Sequence, residues 1–103
     1  MALTKVPASL LDKSAHVDFA DSEQIRLGND QDMLIFHDGN HSLIDDAGEG
    51  SLILRSDTSV ILRKRTGDEN MVVATPDGAV EIYHDNSKKF ETTSGGASVT
   101  GNL

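Results

Sequence analysis

Apolar residues fall along this chain in short clusters, and each cluster is closed by turn-forming residues. Ile25-Arg26-Leu27 runs into Gly28-Asn29-Asp30, and Met33-Leu34-Ile35-Phe36 runs into Asp38-Gly39-Asn40. Ser42-Leu43-Ile44 stops at Asp45-Asp46, Leu52-Ile53-Leu54-Arg55 at Ser56-Asp57, and Val60-Ile61-Leu62-Arg63 at Thr66-Gly67-Asp68. Met71 to Ala74 stops at Pro76-Asp77-Gly78, and Ala79 to His84 at Asp85-Asn86-Ser87. Lys89 to Thr92 stops at Ser94-Gly95-Gly96, and Ser98-Val99-Thr100 comes last. Roughly nine strands at a spacing of about ten residues predict an all-β fold.

The turns have a physical basis. In Asp38-Gly39 and Asp77-Gly78 the glycine accepts the positive φ that a tight hairpin requires, and Pro76 pre-sets φ for the second turn. Asp85 is a turn former of the same kind, because a short carboxylate can bond to nearby backbone N–H groups.

Within the strands the pattern is of two sorts. Val80 and Ile82 alternate with Glu81 and Tyr83, as in a sheet wet on one face. Leu52-Ile53-Leu54 and Val60-Ile61-Leu62 do not alternate, so both of their faces need cover. A middle covered on both sides, with amphipathic strands beyond it, fits strands wrapped by other copies of the chain. A closed trimer would also remove the free edges that otherwise invite uncontrolled pairing.

One phrase recurs. Ile35-Phe36-His37-Asp38-Gly39-Asn40 returns as Ile82-Tyr83-His84-Asp85-Asn86-Ser87, inside two related hairpin phrases at 33–44 and 80–91. A period near 50 residues is expected of one supersecondary unit used twice, as in arrays, propellers and fibres.

Residues 1–16 lack the strand pattern. Leu3, Val6, Leu10 and Leu11 are their apolar anchors, and Pro7 to Lys13 is long enough for one or two helical turns. A free helix of that length is unstable, so the segment is expected to order against a neighbour, with residues 17–103 as the β-rich body.

Composition narrows the picture. Of 103 residues, 37% are hydrophobic and only 4% aromatic, which is thin material for a self-sufficient core. Cysteine is absent, so disulfides and thiolate metal sites cannot supply the support. Association is left, and the chain is expected to be an obligate oligomer. A net charge of −8 repels phosphate backbones and argues against a nucleic-acid partner; Arg63-Lys64-Arg65 is too short to outweigh it. No stretch approaches the roughly 18 apolar residues of a membrane span, and Met1 to Pro7 lacks the apolar region of a secretory signal. Synthesis in the cytoplasm is expected.

Candidate chemistry is sparse. His37-Asp38 and His84-Asp85 resemble half of a metal-dependent phosphohydrolase site, but both pairs fall at strand-to-turn junctions, where aspartate serves the backbone. His37 and His41 flank one turn, and three copies of either near a threefold axis would suit a transition metal, though nothing in the spacing singles them out. Asp45, Asp46, Glu49 and Asp57 form an acidic loop without the ligand spacing of a dedicated calcium site. No nucleophile with a base and no phosphate-cradling glycine loop is visible. Catalytic residues, metal ligands and cofactors are therefore not expected, and the chain reads as a structural part and not an enzyme.

Several phrases together carry a resemblance. Ile25 to Gly28, Ile35 to Gly39, Gly50 to Arg55, Asp77 to Tyr83 and Lys88 to Gly101 resemble segments of fibre-like virion proteins of tailed bacteriophages, especially marine and cyanobacterial ones. Lys88-Lys89-Phe90-Glu91-Thr92-Thr93-Ser94 is the most specific piece, and Met1 to Val6 looks like the start of tail-fibre and tailspike proteins. The resemblance covers nearly the whole chain. It implies an elongated, β-rich homotrimeric fibre, assembled in the host cytoplasm and carried on the virion as a tail or head fibre. An intertwined β-prism or β-helix-like trimer and three side-by-side sandwiches both satisfy it. In longer relatives the Val-Thr-Gly segment leads into further repeats or a receptor-binding tip, whereas here it is followed only by Asn102 and Leu103.

On this view Leu3, Val6, Leu10 and Leu11 dock on other virion proteins of capsid or tail. Leu52, Leu54, Val60, Leu62, Val80, Ile82 and Phe90 form the trimer core. A second reading makes the body a host-recognition module, with Phe36 and Tyr83 beside the His-Asp turns as contacts for a surface glycan.

Overall fold

The computed structural model describes residues 10, 12 and 14–103, so Leu3, Val6 and Leu11 lie outside the described residues. The described chain is all-β, in two antiparallel sheets. Its strands are β1 (Gln24–Leu27), β2 (Met33–His37), β3 (Ser42–Asp46), β4 (Val60–Arg63), β5 (Asn70–Ala74), β6 (Val80–His84), β7 (Ser87–Thr93) and β8 (Gly96–Val99). The described residues fall into two units, with the boundary between Leu52 and Ile53.

Unit 1 contains the meander β1-β2-β3. Register places Ile25 opposite Ile35 and Ile35 opposite Ile44. The β2–β3 loop is built by Asp38, whose Oδ1 accepts from the Asn40 N–H at 2.8 Å and the His41 N–H at 2.6 Å. Gly39 sits at φ +93°, a conformation L side chains rarely adopt. Beyond β3, the Ala47 N–H donates to the Asp32 carbonyl at 2.7 Å. This brings Gly48 so near Asp32 that a Cβ there would stand 2.6 Å from the Asp32 Cβ.

Unit 2 contains the meander β4-β5-β6-β7-β8. Its β6–β7 hairpin closes on the two residues Asp85 and Asn86, at φ 47° and 61°, the left-handed pair that a primed two-residue turn requires. The β5–β6 turn departs from expectation in one detail. Its positive φ, 57°, belongs to Asp77 and not to Gly78. The Gly78 N–H donates to the Thr75 carbonyl, so Pro76 and Asp77 are the central residues and the left-handed position falls on the aspartate.

Eight of the strands read from the sequence are present, and the ninth is not. Leu52-Ile53-Leu54-Arg55 pairs with nothing among the described residues and leaves Ile53 73% exposed. An unbroken apolar run asks for cover, but cover does not require strand pairing, and this segment joins neither sheet.

The recurring phrase proves to be part of a larger repeat. The offset that carries Ile35 onto Ile82 also carries β2 onto β6 and places β1 within β5. Both of the connecting loops, 28–32 and 75–79, are five residues long. Both hold the same internal bond, Gln31 N–H to Gly28 C=O in one and Gly78 N–H to Thr75 C=O in the other. A three-stranded meander is thus used twice, with β4 and β8 added on either side in unit 2.

Candidate functional site: an apolar face on each sheet

Among the described residues none is buried. A folded unit without a buried residue has its apolar side chains gathered somewhere on its surface, and the strand register shows where.

In unit 2, Leu62 pairs with Val72, Val72 with Ile82, Ile82 with Phe90, and Phe90 with Val99. Directly paired residues share a face, so these five form one row across all five strands. Beside it, Val60, Ala74 and Val80 form a second row, and Thr92 and Ala97 stand two residues along β7 and β8 from the first. Leu54 lines a shallow depression at this end, together with Val60, Ala74 and Val80. The opposite face is apolar at Ile61 and Val73 and, apart from Tyr83, polar from β6 onward. There Glu81 and Glu91 stand directly opposite each other, and Lys88 Nζ bridges them at 3.1 and 2.8 Å. These bonds, Glu91 first, hold the Lys88 ammonium above its ordinary value.

Unit 1 repeats the arrangement on a smaller scale. Ile25, Ile35 and Ile44 form a row across its three strands, equivalent to Val72, Ile82 and Phe90. Val17 and Phe19, ahead of β1, join this row around a depression of about 520 Å³. His37 and Ser42 stand at one end of it, with Nδ1 and Oγ 3.0 Å apart.

Of the residues expected to form a core, Val60, Leu62, Val80, Ile82 and Phe90 therefore occupy one face of one sheet, and Leu54 adjoins it. Leu52 lies on the other side of the unit boundary. Val72, Ala74 and Val99 belong to the same face and escaped the sequence reading. Cross-strand register, which defines the row, is not visible in a single strand's pattern. Leu10, the one expected docking residue that is described, is 71% exposed.

Phe36 and Tyr83 stand in different units, each on the face opposite its unit's apolar row. Asp38 and Asp85 are both used in turns. The two N–H donors at Asp38, His41 first and then Asn40, hold its carboxyl below the usual aspartate range. Among the described residues no three His, Asp or Glu side chains converge as a metal site would require. The acidic residues 45, 46, 49 and 57 make no such group either.

Compared with protein-family models, with curated proteins and with solved structures, the chain matches none.

Proposed function

We propose that this chain is a virion structural protein, a short homotrimeric fibre of the tailed-bacteriophage type. Its N-terminal segment docks on capsid or tail, and its β-rich part forms the fibre body. The observation that carries the proposal is a five-residue apolar row, Leu62–Val72–Ile82–Phe90–Val99, on a chain in which no described residue is buried. Such a face is unstable against water unless something covers it, and copies of the same chain cover it most simply.

Trimeric order and virion location rest on the resemblance of Ile35 to Gly39, Asp77 to Tyr83 and Lys88 to Gly101 to phage fibre proteins. Antibody against the purified chain, applied to particles from the system that encodes it, tests the location. Labelling of projections on the particle is the expected result, and label confined to soluble lysate would refute it. A glycan-binding role gains no support from the placement of Phe36 and Tyr83 in separate units.

A further inference from the structure

The described strands have four outer edges. In unit 1, β1 carries Arg26 on its edge and β3 ends on Asp45 and Asp46. In unit 2, β4 keeps its charge and its register shift at its last residue, Arg63, so Val60, Ile61 and Leu62 remain uncharged and regular. Charges and bulges of this kind are how sheet proteins prevent stray strands from adding to an edge. The fourth edge has none of them. β8 reads Gly96-Ala97-Ser98-Val99, uncharged, without proline or register shift, and exposed throughout.

Its backbone is also oriented for pairing. The Thr100 N–H donates to the Lys89 carbonyl at 2.9 Å, so the polar groups of Thr100 face β7. Antiparallel ladders alternate, so those of Ser98 face β7 as well, while the N–H and C=O of Ala97 and Val99 face outward.

We infer that the free edge of β8 is a strand-pairing site, occupied by the β4 edge of a second copy of this chain. The inference rests on the oligomeric reading above and specifies how the copies join. The apolar row chooses the partner. It begins at Leu62 on β4 and ends at Val99 on β8, both exposed, so a β8-to-β4 join carries the row across the seam without interruption. Pairing β8 with β8 would leave every Leu62 end open. β4 is itself an edge with apolar residues on both faces, Ile61 and Leu62, and gains cover from a neighbouring strand. A join between two different edges is heterologous, and repeated it closes into a ring or grows without limit. Three copies closing in this way make the homotrimer.

The test uses the full chain. Ala97→Pro removes one outward N–H and no bond to β7, and proline is accepted on an edge strand at such a position. Light scattering should give a trimer for the unaltered chain and a single-chain mass for Ala97→Pro, with unchanged far-UV circular dichroism. Amide exchange in the unaltered trimer should be about a hundred-fold slower at Ala97 and Val99 than at a free edge. A folded Ala97→Pro variant that keeps the trimer mass overturns the inference alone. So does a trimer whose Ala97 and Val99 amides exchange freely, which decides the matter even if the proline variant misfolds. A dimer or single-chain mass for the unaltered protein overturns both this inference and the trimeric reading beneath it.

Discussion

Replacing Ile82 by alanine should weaken assembly more than it weakens the sheet. Ile82 is the middle residue of the five-residue row, and 45% of it is exposed in the single chain. Fully burying an isoleucine side chain contributes roughly 1.5–3 kcal/mol. About half of that is realised within the sheet and about half only when another copy covers the face. Ile82→Ala should therefore cost the isolated sheet about 1 kcal/mol and the interface about a further 1 kcal/mol per copy. Over three copies the interface loss is about 3 kcal/mol, close to two powers of ten in the trimer dissociation constant. A dilution series by light scattering, with thermal midpoints at several concentrations, separates the two parts, because only the second depends on concentration. Glu91→Gln, on the opposite face, should leave the dilution curve in place. Equal midpoints at all concentrations for both the unaltered chain and Ile82→Ala would refute the reasoning, because the exposed half of Ile82 would then be covered by nothing.

Three further outcomes are expected. Leu62→Asp, at a position 51% exposed in the single chain, should abolish assembly while leaving strand content intact. A charge is tolerated in water but heavily penalised in a covered face, so a variant with full trimer mass would contradict the placement of Leu62. Gly48→Ala should destabilise unit 1 by about 1–3 kcal/mol, because its Cβ meets Asp32; an unchanged urea midpoint would show that the approach is not close. The Asp38 carboxyl is held low by its two N–H donors, so the stability it contributes is present above the ordinary aspartate pKa near 3.9 and lost as pH falls below it. Asp38→Asn should flatten that acid limb of the melting curve, and an unchanged limb would assign the acid sensitivity to another group.

Much of the fold was legible in the sequence because its signals are local. The Asp38-Gly39 and Asp85-Asn86 turns bound the strands before and after them, and eight strands follow from that punctuation. The Leu52-Ile53-Leu54 run misled because apolar content reports a need for cover, while strand formation depends on a partner that sequence does not display. Val72 and Val99 went unnoticed for the related reason that a cross-strand row is a property of register. The repeat was visible only where its wording survived, in Ile35 to Asp38 and Ile82 to Asp85. Its full extent appears once the equal loops at 28–32 and 75–79 are compared. The expected core was half legible for a simple physical reason: Val80 and Ile82 advertise themselves by alternation within one strand, Val60 and Leu62 by lying in an unbroken apolar run, and Phe90 by being one of four aromatics.

The most direct test of the account is the solution mass of the full chain by light scattering, across a concentration range. Three times the 11.0 kDa chain mass is expected, falling toward the single chain only on strong dilution. A constant 11.0 kDa at every concentration would contradict it, because the Leu62–Val72–Ile82–Phe90–Val99 face would then be stable in water uncovered.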